Sequence, residues 1–363
     1  MSAPLCRSRG LFAASAVALL AIALPLGCSS SSESGTQRDA AAGGKTTGAA
    51  GAADVLCTVP MLSDLAEAVA GEHLTVETLL GRGVDPHIYR PTTADAIACQ
   101  EAGAVLYVGL RLEGALAENL EQLGRSRPHV VAIGERLPED RVLEADDGTG
   151  HVDPHIWMDV ALWAETVPAI VETLSQLAPD HAADFAANGQ ALTEELQAFD
   201  VYVRERIATI PDARRVMITA HDAFQYFGRG YGIRVQGVQG VSTASEAGIR
   251  DIQRLVELLR ETGVQTVFAE SSTSDRQIAA LVESAEAAGL EVGLSGPLFS
   301  DSTGPAGTWE GTYVGMIDHN VSLIVGKLGG EVPEGGWRSV TGELERAESG
   351  GGGAETTPAD KTE

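Results

Sequence analysis

The chain has 363 residues, of which 44% are hydrophobic and 21% are charged, and these proportions are typical of a soluble globular protein. This length is sufficient for two ordinary domains with sizeable cores. The formal net charge of −26 at pH 7 argues against nucleic acid as a partner, because phosphate groups are bound by Lys and Arg.

The first 28 residues have the layout of a secretory signal. Basic residues precede an apolar run, "LFAASAVALLAIALPLG", which is too short for a comfortable membrane span and ends at Cys28. Gly27 and the serine run after the cysteine resemble a bacterial lipoprotein processing site, although Pro25 stands where leucine is usual. We therefore predict a signal peptide over residues 1–28 and a lipid on Cys28 that anchors the protein to a membrane, with plain secretion as the alternative.

Two further cysteines lie in the part of the chain that is expected to fold. Cys57 falls in a predicted strand and Cys99 in a predicted helix. Their spacing does not decide whether they pair, and we expect buried free thiols.

From Asp54 onward, short β-branched runs alternate with longer helical patterns. The first series of predicted strands is "DVLCTV", "HLTVETLL", "AVLYVG" and "HVVAIG", and the second, which begins near Arg214, is "RRVMIT", "IRVQGV", "VQTVFAE" and "LEVGLS". Such alternation predicts βαβ units. The expected fold class is therefore α/β, with two lobes that each contain a mostly parallel sheet flanked by helices.

A long helical pattern separates the two series. It contains Gly189, so that two helices broken near this glycine are one interpretation and a single rigid connecting helix, which we favour, is the other. The last residues are rich in Gly and Glu and are predicted to be disordered. The predicted segments after the signal are a flexible tether over 29–53, an N-terminal lobe over 54–177, the connecting helix over 178–211, a C-terminal lobe over 212–331 and an acidic disordered tail over 332–363.

Four residues of metal-ligating type follow predicted strands. The tetrapeptide Asp-Pro-His-Ile occurs twice, in "VDPHIYRP" with His87 and in "VDPHIWMD" with His155, while His221 and Asp301 come from the second series. Ligands of open parallel sheets bind outside the carboxyl ends of the strands, so the four would meet in the cleft between the lobes. Three imidazoles and one carboxylate suit a first-row divalent ion. A lone loop histidine is more often an ordinary surface residue, and that alternative applies to each of them.

Acidic residues near these positions could orient the imidazoles through the second ring nitrogen. The candidates for this role are Asp85, Asp153, Asp222 and Glu270. Glu270, which ends the predicted strand in "VFAESS", is the strongest of them, and solvated loop carboxylates are the alternative. The remaining histidines have no comparable context and are expected to be ordinary surface residues: His73, His129, His151, His181 and His319.

Several motifs together resemble the zinc/manganese receptor cluster of ABC-importer solute-binding proteins. They are "GVDPHIYRPTTAD", "HVDPHIWMD", "ITAHDAFQYFGRGYGI", "GVSTASEA" and "LFSDSTGPAGTWEGTYVGMIDHNV", which occur in the family's order over about residues 55–328. The resemblance implies two α/β lobes joined by one long helix, with the metal in the cleft between them. It also implies that the ligands are His87, His155, His221 and Asp301.

The resemblance further implies a function outside the cytoplasm. Such receptors capture one zinc or manganese ion and deliver it to a membrane permease with its ATPase subunit, and we expect a monomer. With His221 at the third ligand position, this chain resembles the branch that is associated with both metals. The His-rich loop of dedicated zinc receptors is absent from "LPEDRVLEADDGTGHVDPH".

Two other functions are alternatives. A metal-dependent hydrolase could use the same residues, yet four protein ligands would fill a tetrahedral ion, and the chain has no HExxH helix. A surface adhesin is the other alternative, because lipid-anchored receptors are exposed. We expect a receptor and not an enzyme.

Overall fold

The structure is a computed structural model that describes residues 53–145 and 150–342. The predicted signal peptide, the lipid site at Cys28, nearly all of the tether and residues 343–363 of the tail lie outside the described residues. Among the residues that are described, no helix is long and apolar enough to cross a membrane.

The first lobe is built on a parallel sheet of four strands. The strands are β1 (Val55–Cys57), β2 (Val76–Thr78), β3 (Ala104–Tyr107) and β4 (Val130–Ala132). They pair in the order β2-β1-β3-β4, and every pair is parallel. The helices of this lobe are α1 (Pro60–Ala70), α2 (Thr93–Glu101) and α3 (Ala117–Gly124). Each predicted run of the first series therefore contains one strand.

Three helices follow the first sheet: α4 (Val160–Ala164), α5 (Val167–Leu177) and α6 (Ala182–Ala208). α6 is continuous over 27 residues, which corresponds to a length of about 40 Å. Its buried residues recur every three or four positions, as a helix that packs along one side requires. Gly189 is one of these buried residues and does not break the helix, so the interpretation as a single helix is the correct one.

The second lobe repeats the topology of the first. Its strands are β5 (Val216–Thr219), β6 (Arg234–Gly237), β7 (Thr266–Glu270) and β8 (Gly293–Leu298). They pair in parallel in the order β6-β5-β7-β8. β8 starts three residues later than the predicted run "LEVGLS", because its pairing with β7 begins at Gly293. The helices that follow the sheet's first three strands are α7 (Gln225–Tyr231), α8 (Ile249–Thr262) and α9 (Arg276–Ala287).

Two helices close the described chain, α10 (Tyr313–Lys327) and α11 (Gly336–Thr341). The presence of α11 shows that the prediction of a disordered tail from residue 332 is wrong as far as residue 342. The reason is Trp337, which is 8% exposed and packs against Phe199 and Tyr202 of α6, with ring centroids 5.4 and 5.2 Å away. The prediction of disorder rested on the Gly-rich composition of this segment and gave no weight to its largest apolar side chain, Trp337.

The observed architecture confirms the predicted fold class, in which α6 joins two parallel-sheet α/β lobes. The remaining segment boundaries stay predictions. Cys57 and Cys99 are free and buried, as expected, and burial raises the pKa of both thiols. The largest core cluster draws its side chains from both lobes and from α6, so the long helix is part of the common core.

The contact between α5 and α6 gives a stability prediction. A Cβ on Gly189 would clash with Cγ2 of Val171, a β-branched side chain whose rotation about χ1 is restricted in a helix. We expect Gly189→Ala to lower the free energy of unfolding by about 1–3 kcal/mol through overpacking, although alanine favours helices. Denaturant unfolding measures this, and adding Val171→Ala should recover part of the loss.

Gly326 supplies the matched control, because it is an exposed glycine of α10 whose Cβ would meet nothing within 4 Å. Gly326→Ala should raise the free energy of unfolding by up to about 1 kcal/mol. Equal effects of the two substitutions would contradict a close approach of α5 to Gly189.

Candidate metal centre

The four residues predicted as ligands come from loops of both lobes. His87 lies in the loop between β2 and α2, His221 follows β5, and Asp301 follows β8. His155 lies much farther along the chain from β4 than the others lie from their strands, and it directly precedes a short 3-10 turn, Ile156–Met158. The carboxyl ends of the strands thus place three of the four residues, whereas the fourth, His155, lies at the start of a 3-10 turn.

These four side chains meet at one point. Nε2 of His155 lies 3.2 Å from Nε2 of His87 and 3.4 Å from Nε2 of His221. The carboxylate of Asp301 places Oδ1 3.3 Å from Nε2 of His155 and Oδ2 3.3 Å from Nε2 of His221, while Oδ2 is 4.0 Å from Nε2 of His87. One ligand atom from each residue lies within 4.8 Å of all the others.

The spacing of these atoms fits a small divalent ion. Zinc binds nitrogen and oxygen at about 2.0–2.2 Å, so neighbouring ligands of a tetrahedral ion are about 3.4 Å apart. The five distances given above run from 3.2 to 4.0 Å and bracket this value. The imidazole nitrogens and the carboxylate oxygens direct their lone pairs toward a common point, where an ion would accept them. The donor set therefore fits a metal ion in number, type and spacing.

Burial leaves one side of the cluster more accessible than the others. His155, His221 and Asp301 are 0% exposed, whereas His87 is 8% exposed and lines an open cleft between the lobes. The same cleft is lined by residues of the loop after β6 and by Asp222. The side chain of His87 is itself 3% exposed, so its side is where the cluster lies nearest to solvent.

Two buried carboxylates face the outer nitrogens of two imidazoles. Oδ1 of Asp153 lies 2.7 Å from Nδ1 of His155 and also accepts the backbone N–H of His155 at 3.0 Å. Oε2 of Glu270 lies 2.5 Å from Nδ1 of His221, and its Oε1 accepts the backbone N–H of His221 at 2.8 Å. The Glu270–His221 ring contact is close but off the line of an ideal hydrogen bond. A proton held on Nδ1 leaves Nε2 free to face the cluster.

The other two acidic candidates do not touch a ring nitrogen. Asp85 accepts the backbone N–H of His87 at 2.9 Å, and its second oxygen accepts the hydroxyl of Thr243 at 2.6 Å. Asp222 accepts from the side chain of Gln225 at 2.7 Å. Asp85 thus positions the backbone of its histidine, and Asp222 fixes the start of α7.

The charges around the cluster shift the pKa of its members in opposite directions. Burial lowers the pKa of His87 to about 3, against the attraction of Asp301. Burial also disfavours the cations of His155 and His221, yet their carboxylate neighbours outweigh it: the pKa of His155 rises to about 9 and that of His221 rises well above its usual range. Burial alone would raise the pKa of Asp301, but the two cationic imidazoles hold it well below its usual range.

Contacts between the lobes fix the loop of His87, and they were missed by the sequence analysis. The guanidinium of Arg82 contacts the Thr303 hydroxyl and donates to the carbonyl of Gly311 at 2.8 Å. The backbone N–H of Gly83 donates to Ser302 Oγ at 2.8 Å. The Ser and Thr residues of "FSDST" and "GVSTAS" could have suggested hydrogen bonds to another loop. Which loop they contact, however, depends on how the two lobes pack.

Comparison with known proteins identifies the family. The family described as "Zinc-uptake complex component A periplasmic" matches residues 55–326. The chain is 41% identical over 274 residues to the manganese-binding lipoprotein MntA of Bacillus subtilis, covering 76% of this chain and 89% of that protein. It is also 41% identical over 291 residues to the zinc-binding protein TroA of Treponema pallidum, covering 80% of this chain and 91% of TroA.

Solved structures agree with this assignment. The structure of the periplasmic zinc-binding protein TroA from Treponema pallidum aligns with a TM-score of 0.73 and 41% identity, covering 77% of this chain and 99% of that one. The Fe(III)-bound YtgA of Chlamydia trachomatis aligns with a TM-score of 0.70 and 28% identity over 77% of this chain and 99% of that one. These matches favour the receptor over the hydrolase and the adhesin. The chain belongs to the family of periplasmic zinc-uptake components, whose members are metal-binding receptors and not enzymes.

Proposed function

We propose that the protein captures one zinc or manganese ion with His87, His155, His221 and Asp301 and delivers it to the permease of an ABC importer, which a separate ATPase subunit drives. The convergence of four buried ligand atoms within 4.8 Å, contributed by both lobes, carries this proposal. Membership of the family supports the transport role, since the family is one of periplasmic zinc-uptake components.

The geometry supports a route for the proposed capture. The ion enters through the cleft beside His87, whose imidazole is neutral because burial lowers its pKa to about 3. It then displaces the protons that His155 and His221 hold in the metal-free protein, where their pKa values are raised. Metal binding therefore releases protons, and affinity falls as the pH is lowered. The carboxylates of Asp153 and Glu270 keep both rings oriented throughout.

Both oxygens of Asp301 face imidazole nitrogens, Oδ1 toward His155 and Oδ2 toward His221, each at 3.3 Å. One oxygen completes a tetrahedral zinc site, and both together give five ligands, which manganese accepts more readily. Three imidazoles make zinc the tighter ion, in keeping with the general affinity order. The zinc-binding protein TroA and the manganese-binding lipoprotein MntA of Bacillus subtilis are each 41% identical to this chain.

Attachment to a membrane through a lipid on Cys28 and a monomeric state complete the proposal. The layout of the signal supports lipidation of Cys28. One relative, MntA of Bacillus subtilis, is named a lipoprotein. The predicted tether over residues 29–53 would then join the folded lobes to the membrane surface.

The ligand set is tested by the number of ions bound. The protein should bind one zinc ion tightly, and His155→Ala should weaken that binding at least tenfold, because it removes the nitrogen nearest to the three other ligand atoms. Calorimetric titration of metal-free protein with zinc measures this. Tight binding that is unchanged in the variant would exclude His155 as a ligand.

The orienting role of the carboxylates is tested by two matched substitutions. Glu270→Gln should weaken zinc binding about 10–100-fold, since the amide no longer provides a negative charge to Nδ1 of His221. Asp222→Asn removes a buried carboxylate from the residue next to His221, yet this carboxylate contacts Gln225, and the affinity should change less than about threefold. Competition with a chromogenic chelator measures both. Equal losses would show that net charge matters and orientation does not.

The anchor is tested by processing in a bacterial host. The mature protein should begin at acylated Cys28, and Cys28→Ser should move it from the membrane fraction to the soluble fraction. Mass spectrometry of the purified N-terminus gives the modification directly. An unmodified N-terminus beyond Cys28 would leave plain secretion as the correct alternative.

A further inference from the structure

A second group of metal-ligating side chains lies away from the buried centre: His73, His181 and Asp184. His73 lies in the turn between α1 and β2, His181 directly precedes α6, and Asp184 is in the first turn of α6. Oδ2 of Asp184 lies 3.0 Å from Nε2 of His73 and 3.9 Å from Nδ1 of His181. Two histidines that are far apart in the sequence thus face a single carboxylate oxygen.

This cluster is separate from the buried centre. His73 precedes β2 and His87 follows it, so the two groups lie at opposite ends of the same strand. The side chains of His73 and His181 are 32% and 43% exposed, and that of Asp184 is 60% exposed. The cluster is therefore open to solvent, and an ion can reach it without entering the interlobe cleft.

The backbone beneath the cluster is fixed by buried contacts. Phe185, the residue after Asp184, is 0% exposed, and its ring lies edge-on to that of His73 with centroids 5.9 Å apart. The side chain of Asn188 donates to the carbonyl of Val69 at 3.1 Å and so joins α6 to the end of α1. Because the two elements are held together in this way, little backbone ordering is needed to bring the three ligand groups together.

We propose that His73, His181 and Asp184 form a second, weaker binding site for a divalent ion on the surface of the first lobe. Two imidazoles and one carboxylate suit zinc better than magnesium or calcium, which prefer oxygen ligands. Water completes the coordination, as the exposure of all three residues allows. Metal binding here joins the turn after α1 to the start of the helix that connects the lobes.

Two features make this site weaker than the buried one. The rings of His73 and His181 are stacked, with centroids 3.9 Å apart and planes at 17°, so one ring must rotate before both nitrogens can point at the same ion. The amino end of α6 also carries a partial positive charge, which repels a cation. The negative charge of Asp184 is partly used to offset this repulsion. We therefore expect zinc to bind here at least about tenfold more weakly than at the buried centre, whose ligands are shielded from solvent.

Titration of the metal-free protein with zinc alone tests the proposal. The unmodified protein should bind a second, weaker equivalent of zinc, which His181→Ala and Asp184→Asn remove without changing the tight one. In His155→Ala the weaker equivalent should persist, so that failure of the buried site and failure of this site are distinguishable. NMR of the ring protons should show that the resonances of His73 and His181 shift together as the second equivalent binds.

Asp180→Asn is the matched control, because Asp180 is an exposed carboxylate in the same turn that is not part of the cluster. It should leave both equivalents intact. The proposal is overturned if the unmodified protein binds no second equivalent. It is equally overturned if the weak binding survives in His181→Ala or is lost to the same extent in Asp180→Asn, since surface charge would then account for it.

Discussion

Burial of ionisable groups around a single point is the constraint on which the rest of this structure depends. Three imidazoles and Asp301 converge where His155 and His221 are fully buried, and each of those two rings has a second carboxylate at its outer nitrogen. Charged groups removed from water must be compensated by partners of opposite charge. In the metal-free protein, protons on His155 and His221 supply that compensation. One divalent ion carries the same charge as two protons, so the proposed capture would exchange them without a change in net charge.

The fold supplies the arrangement that this exchange requires. Two sheets with the same strand order present their carboxyl ends to a common cleft, and each lobe contributes two of the four ligand groups. α6 and the core shared by the lobes hold the sheets together, while Arg82 and the Asp85–Thr243 hydrogen bond fix the loop of His87 against the second lobe. Contacts between the lobes thus help to hold the proposed ligands in place.

Much of this could be predicted from the sequence, because the patterns involved are local. Alternating strands and helices predicted both lobes, and the position of His221 directly after a buried strand predicted that it lies at the site. Glu270 was identified for the same reason. Packing between distant segments could not be predicted. The stacking of His73 on His181 depends on where α1 meets α6. The folding of the segment around Trp337 depends on the aromatic rings that α6 presents to it. The sequence likewise did not distinguish Asp222 from Asp153, because the contacts of both depend on the conformation of their loops.

Zinc K-edge X-ray absorption of the protein loaded with one equivalent of zinc tests the central claim most directly. The account predicts only nitrogen and oxygen neighbours at about 2.0–2.1 Å, with the outer-shell scattering of three imidazoles, and with two imidazoles in His155→Ala. A spectrum with a sulfur neighbour at about 2.3 Å would contradict the account, as would one with imidazole scattering that is unchanged in His155→Ala.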